Sequence, residues 1–275
     1  LGNTCFMNSA IQCLSNTPEL THFFLSKEFQ KNLDEDHKFI NLINEWYRLI
    51  EAIWSDNCTI IPKTFDTTIK TYSKKYGLNQ NFTNYGQNDV QEFLLFMIDN
   101  MHEVLSKKVT INISGVIQNE KDKCAYQAMK NWETHFKNSY SKIIEIFYGQ
   151  LITTIETPDN KILSKSFDPI CFYTLPIPSP TNNEQVTIYD CFDLFCSSEL
   201  LTGDNQYYCD KKKEYFDAYK KTKIWKFSNI VIICLKRFNN NMRKICKPID
   251  FPTTLDLNKY CEGYETANYY DLYGI

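Results

Sequence analysis

Leu1-Gly2-Asn3-Thr4-Cys5-Phe6-Met7-Asn8-Ser9-Ala10-Ile11-Gln12-Cys13-Leu14 sets a turn directly ahead of an apolar-periodic segment. Gly2, Asn3 and Thr4 are turn and cap formers. The pattern predicts a short helix from Cys5 to about Leu14, ended before Asn16-Thr17-Pro18. Cys5 then occupies a first helical turn, where free N–H groups and the macrodipole favour negative charge on sulfur. Cysteine is also often a small buried hydrophobe. That reading suits Cys13, Cys171, Cys191 and Cys234, which lie in apolar strings; Cys5 differs in its turn-forming neighbours.

Further helices are predicted where apolar residues recur at helical spacing. His37 to Trp54 carries Phe39, Leu42, Ile43, Trp46, Ile50 and Ile53. Gln87 to Leu105 carries Val90, Phe93, Leu94, Met97 and Met101, with Asn88 and Asp89 at its start, where acids suit the dipole. Lys107 to about Lys123 reads as an insertion or connection, and Ala125 to Lys137 as another helix. His22 follows what reads as a Pro-Glu-Leu turn.

From Ile143 the pattern turns to strands, beginning with the run Ile143 to Leu151. Thr157-Pro158-Asp159-Asn160 is a turn. Phe172 to Leu175 is a strand closed by Pro176 and Pro178. Ile230 to Phe238 is a strongly apolar strand with Asn239-Asn240-Asn241 as its turn, and Tyr269 to Ile275 is a last strand. Helices first and strands later give an α+β class.

The balance of 30 basic and 33 acidic residues excludes nucleic-acid binding by bulk charge. No apolar run reaches membrane-spanning length, and no secretory leader opens the sequence. The 11 cysteines are odd in number and scattered, which fits reduced thiols in cytoplasm or nucleus better than a disulfide framework. Asn57-Cys58-Thr59, Asn81-Phe82-Thr83 and Asn112-Ile113-Ser114 match the glycosylation pattern and are discounted in a chain so rich in Asn and Thr.

The opening run resembles the cysteine box of the ubiquitin-specific proteases. Tyr85-Gly86-Gln87-Asn88-Asp89-Val90-Gln91-Glu92-Phe93-Leu94 resembles that family's Gln-Gln-Asp-Ala-x-Glu-Phe-Leu block, with Asn88 departing from the commoner Gln. Leu235-Lys236-Arg237-Phe238 resembles its Leu-x-Arg-Phe strand. Tyr269-Tyr270-Asp271-Leu272-Tyr273-Gly274-Ile275 resembles its Tyr-x-Leu-x-Ala-Val strand. Gly149-Gln150-Leu151 and Leu175-Pro176-Ile177-Pro178 agree in order, so the likeness spans nearly the whole chain.

The resemblance implies a papain-like cysteine protease fold with a helical thumb (about 1–140), fingers and adjoining palm strands (about 141–225) and palm strands (about 226–275). It implies thiol-dependent hydrolysis after the C-terminal glycine of ubiquitin, with Cys5 as nucleophile. Gln87, Asp89 and Glu92 would meet the basic ubiquitin tail, because carboxylates bind guanidinium groups directionally. Alone, such residues merely cap and solvate a helix start. Ubiquitin or ubiquitinated proteins are the implied partners of a monomer, with neither nucleic acid nor membrane involved and no cofactor.

Two departures stand out. His22, His37, His102 and His135 lie outside any Gly-His-Tyr context, so the histidine box and its Asp or Asn are expected beyond Ile275, in a longer protein. Many relatives hold zinc on two Cys-x-x-Cys pairs. Here Thr157, Asn160, Cys209 and Lys212 stand at those positions, which implies no metal, with the fingers held by β-pairing and aromatic packing. A ubiquitin-binding module without catalysis, and a papain-like protease for another ubiquitin-like tag, are the alternatives.

Overall fold

The computed structural model describes residues 3–55, 59–76, 82, 86–179, 185–209, 213–238 and 243–275. Leu1, Gly2, Tyr85, Lys212, the Asn239–Asn241 turn and most of the Asn57 and Asn81 acceptor patterns lie outside them. The chain forms two compact units: Leu1–Thr110 with Phe136–Ile146 and Tyr273–Ile275, and Ile111–His135 with Phe147–Leu272.

The first unit is helical. Helix α1 (Cys5–Ser15) buries Met7, Ala10, Ile11 and Leu14 along one stripe. Helix α2 (Pro18–Leu25) replaces the expected turn before His22. Pro18 occupies the first helical position, where a missing N–H costs nothing, and Glu19 suits the dipole. Helix α3 (Ile40–Ile53) begins three residues after His37, because the His37 Nδ1 atom accepts the Phe39 N–H (3.3 Å) and holds the entry in a turn. Helix α4 (Lys63–Tyr76), not foreseen, carries Phe65, Ile69 and Tyr72 on its buried face. Trp46 is fully buried between the rings of Phe24 (6.3 Å) and Phe65 (6.1 Å). Helix α5 (Val90–Leu105) starts after Gln87 and Asn88, because Asp89 caps it.

Helix α6 (Glu120–Phe136) starts five residues earlier than its apolar pattern suggests. The Asn119 side chain accepts the Asp122 N–H (2.9 Å), while Asp122 accepts the N–H groups of Gln118 (2.8 Å) and Asn119 (3.2 Å). That reciprocal cap fixes the helix start. Helix α7 (Lys142–Phe147) corrects the strand expected from Ile143. Ile143, Ile144, Ile146 and Phe147 are all buried, so no period in the sequence separates helix from strand there.

Within the first unit, His102 near the end of α5 bonds Ser141 through Nδ1 (2.8 Å) and Ser139 through Nε2 (3.2 Å). Burial holds its imidazole below the ordinary value, against the opposing pull of Glu103. Its ordinary, unfolded value is about 6.5. The unfolded chain therefore takes up this proton first. The contribution to stability is complete above about pH 7 and is lost as pH falls through about 6.5 toward the folded value.

The second unit is built on strands. β1 (Gly149–Glu156), β2 (Ile162–Ile170), β5 (Ser198–Leu201) and β8 (Ala218–Lys226) form an antiparallel sheet in the order β2-β1-β8-β5. β3 (Phe172–Leu175) pairs in parallel with β9 (Ile232–Leu235), which is shorter than the apolar run that announced it. β4 (Val186–Thr187) leads into helix α8 (Ile188–Phe195) through a Thr187–Asp190 capping box and pairs with β10 (Ile249–Asp250). β6 (Tyr207–Cys209) pairs with β7 (Glu214–Phe216), and Tyr207–Phe216 and Tyr208–Tyr215 ring contacts line the pair. β11 (Thr254–Asp256) pairs with β12 (Tyr269–Asp271). β12 ends four residues before expected: Leu272 donates to the Thr253 carbonyl (2.8 Å), and Tyr273–Ile275 belong to the first unit. There the Tyr273 hydroxyl bonds the Thr17 Oγ1 atom (2.8 Å). Together the units give the α+β class.

Gly149 opens β1 where no side chain fits. A Cβ there would overlap the Tyr173 hydroxyl and the Lys226 carbonyl and stand 2.9 Å from the Ser228 nitrogen. Tyr173 is fully buried, accepts the Ser228 N–H (3.3 Å), and has its hydroxyl pushed up to about 12 by burial. Gln150 donates to the Ala128 carbonyl (3.0 Å) and ties the same strand to α6. Arg237 donates to the carbonyls of Lys247 (2.7 Å) and Ile245 (3.3 Å), which makes it a clamp on its own loop.

Two outcomes are expected. Gly149→Ala should lower unfolding free energy by about 1–3 kcal/mol, the usual cost of overpacking, measured as a lower urea midpoint at unchanged slope. His102→Gln, which bonds but does not titrate, should flatten the dependence of Tm on pH between about pH 7 and 5. An unchanged pH profile would assign that dependence to other groups.

Candidate functional site

Cys5 is the first residue of α1 and is exposed. Thr4 stands at the cap position but gives its side chain to none of the first-turn amides; its carbonyl accepts the Asn8 N–H (2.9 Å). Those amides therefore remain available at the end of the helix that favours negative charge. The Ser9 hydroxyl returns to the Cys5 carbonyl (2.9 Å) and closes the first turn.

Gln87, Asp89 and Glu92 are exposed around the start of α5. Gln87 precedes the helix, and Glu92 lies in its first turn. Asp89 is the cap: its Oδ1 atom accepts the N–H groups of Gln91 (2.6 Å) and Glu92 (3.4 Å). Asn88 turns back through its side-chain amide to the Gly86 carbonyl (3.2 Å).

A set of phenylalanine rings joins the two helix starts. Phe6, next to Cys5, stacks on Phe82 (centroids 5.9 Å apart, planes at 13°) and meets the edge of Phe93 (5.6 Å, 81°). Phe82 and Phe93 also touch each other (5.7 Å), and Phe96 completes the group (5.5 Å from Phe82). Phe82, Phe93 and Phe96 are buried. The candidate nucleophile and the acidic start of α5 are thus mounted on one aromatic node. The sequence reading missed Phe82, seeing in its tract only a discounted glycosylation pattern. An apolar aromatic in the polar, Asn-rich stretch ahead of the acidic block is the signal that marks it.

The histidines are spread out. His22 is in α2, His37 precedes α3, His102 is held by two serines, and His135 is in α6. In the first unit none of His22, His37 and His102 bonds the Cys5 thiol.

The positions that would carry zinc do not fit it. Thr157 and Asn160 close the β1–β2 turn by themselves: the Thr157 N–H bonds the Lys161 carbonyl (2.9 Å), and the Asn160 N–H bonds the Thr157 carbonyl (2.9 Å). Asn160 takes the left-handed conformation (φ 61°) that the turn requires. Among the described residues no group of three or more His, Cys, Asp or Glu side chains is placed to hold a metal ion.

Comparison with known proteins agrees with the motifs. Ubiquitin carboxyl-terminal hydrolase 2 of Homo sapiens is 32% identical over 289 residues, covering 100% of this chain and 46% of its own length. Usp2 of Drosophila melanogaster is 32% identical over 283 residues, 100% of this chain and 28% of its length. Ubiquitin carboxyl-terminal hydrolase 15 of Homo sapiens is 38% identical over 185 residues, 65% of this chain. The chain thus spans less than half the length of these curated relatives. In solved structures the fold is matched by the SAGA Ubp8/Sgf11/Sus1/Sgf73 DUB module bound to ubiquitin aldehyde, with a TM-score of 0.67 and 24% identity over 95% of this chain and 52% of the other. The family model described as ubiquitin carboxyl-terminal hydrolase matches residues 1–275. The chain belongs to the ubiquitin carboxyl-terminal hydrolase family.

Proposed function

We propose that the full-length protein hydrolyses isopeptide or peptide bonds after the C-terminal glycine of ubiquitin, with Cys5 as nucleophile. The observation that carries this reading is the shared aromatic node: an exposed thiol on an uncapped helix start, held beside an exposed acidic helix start. The names and domain match of the relatives support the substrate. The Cys5 sulfur attacks the carbonyl carbon, the oxyanion forms, and the amine leaves to give a thioester that water resolves. The Cys5 backbone N–H is one donor for the oxyanion. Asp89, with Gln87 and Glu92 beside it, takes the basic ubiquitin tail. Both cap bonds of Asp89 end on Oδ1, which leaves the Oδ2 side of the carboxylate for a guanidinium group. The helical part to about residue 140 acts as thumb, and the strands after it as fingers and palm.

The reaction also needs a histidine base in the family's Gly-His-Tyr context, and His22, His37, His102 and His135 do not stand in one. The 275-residue chain alone is therefore expected to show negligible turnover.

In the full-length protein, a ubiquitin probe with a C-terminal electrophile should attach to Cys5, and Cys5→Ala should abolish labelling. Absence of labelling in the unaltered protein removes the ubiquitin-directed reading. Labelling without hydrolysis of a fluorogenic ubiquitin substrate favours the binding module.

Asp89 has a cap role and a recognition role that separate by substitution. Asp89→Asn should keep stability near the parent's, since Asn caps as well as Asp, whereas Asp89→Ala should lose about 1 kcal/mol. Both should weaken ubiquitin binding about tenfold, as loss of a charge-assisted bond does. Unimpaired binding by Asp89→Asn would reduce Asp89 to a cap.

A further inference from the structure

Helix α6 lies on the β2-β1-β8-β5 sheet of the second unit. Ala128 packs against Ile152 and Phe167, the Gln150 amide holds the Ala128 carbonyl (3.0 Å), and the Asn131 amide reaches the Phe167 carbonyl (3.5 Å). Beside this contact is an open cavity of about 420 Å³, lined among others by Cys124, Ile152, Ile162, Lys165 and Trp225. Into it the Lys165 Nζ atom of β2 donates to the Cys124 Sγ atom of α6 at 3.2 Å. The neighbouring lysines are engaged elsewhere. Lys123 holds Glu120 (2.5 Å), Lys221 holds Glu156 (2.6 Å), Lys223 holds Glu262, and Lys121 lies over the Tyr264 ring (4.7 Å). Cys124 also packs against the Ala128, Ile152 and Phe167 cluster, so the docking of α6 on the sheet holds the thiol beside the amine.

We propose that Cys124 and Lys165 form a peroxide-sensitive modification site that closes as a covalent sulfur–nitrogen bridge between α6 and β2. The co-reactant is a hydroperoxide small enough to enter the cavity. The Cys124 thiolate attacks a peroxide oxygen; a sulfur–oxygen bond forms, the oxygen–oxygen bond breaks, and the leaving oxygen takes a proton to become water or an alcohol. The Lys165 amine, deprotonated for the step, then attacks the sulfenyl sulfur. A sulfur–nitrogen bond forms, and the hydroxide leaves with a nitrogen proton as water. In sum, thiol, amine and hydroperoxide give a sulfenamide, water and the reduced peroxide, the two electrons coming from sulfur. Excess thiol reverses the bond by attack on the same sulfur.

The test treats the intact protein with hydrogen peroxide at about pH 8.5 and maps peptides by mass spectrometry. The Cys124 and Lys165 peptides should appear joined with loss of two hydrogens, and dithiothreitol should separate them. Lys165→Met should abolish the joined species and leave a Cys124 sulfenic acid that dimedone traps. Cys124→Ser should give neither product. Equal dimedone trapping at Cys124 in the parent and Lys165→Met, with no joined peptide, overturns the bridge. So does a Cys124 that stays reduced while the exposed Cys246 is oxidised.

Discussion

Contact among Phe6, Phe82 and Phe93 is the constraint on which the rest of the site depends. Each ring belongs to a different segment: the first turn of α1, the stretch ahead of α5, and the first turn of α5. Aromatic pairs of this kind are worth about 0.5–1.5 kcal/mol each beyond the area they bury. Their larger effect is geometric, because three mutual contacts leave little freedom for one helix start to slide past the other. Cys5 and Asp89 then have a fixed relation without touching. The outer ends of the same helices are held separately, α1 through Thr17, whose Oγ1 atom donates to the Cys13 carbonyl (3.1 Å) and bonds the Tyr273 hydroxyl, and α5 by the His102–serine bonds.

In the second unit, two strand pairs are closed by backbone turns that carry non-glycine residues in the left-handed region. Thr157 and Asn160 finish one strand pair, and Lys213, with φ 59°, finishes another by donating to the Cys209 carbonyl (2.7 Å). Non-glycine residues in the left-handed region cost about 1–3 kcal/mol each. The closing hydrogen bonds and the Tyr207–Phe216 and Tyr208–Tyr215 contacts offset that strain. Gly149 shows the same economy elsewhere: its missing side chain lets β1 pass against a buried tyrosine hydroxyl.

Helix α5 was legible because its apolar stripe and acidic start point the same way, and the cysteine run was legible because turn formers and periodicity meet at one residue. The misreadings have separate physical causes. Ile143, Ile144, Ile146 and Phe147 are all buried and only Glu145 among them is exposed, which blurs the period that would identify a helix. Pro18 was read as a turn signal, although proline is equally at home at a first helical position. Helix α6 starts at a polar cap, Asn119 with Asp122, rather than at its first apolar residue. Phe82 carries no periodicity of its own, and its role comes from two helices distant in sequence. The Lys165–Cys124 pair joins residues 41 apart and left no trace in the pattern.

The two helix starts on the aromatic node are finished differently, and that difference organises the proposed chemistry. Asp89 consumes amides of α5 with its own carboxylate, so the start of that helix presents negative charge despite the dipole. Thr4 leaves the first-turn amides of α1 uncapped, so that start presents donors. One terminus suits a cation and the other an anion, a few ring contacts apart. A substrate with a basic tail and a carbonyl that becomes an oxyanion needs both, in that order along its chain. Capping α1 with a carboxylate at position 4 would stabilise the helix by the ordinary N-cap increment and remove the donors beside Cys5. The absence of a side-chain cap from Thr4 on α1 thus accords with the chemistry proposed for Cys5.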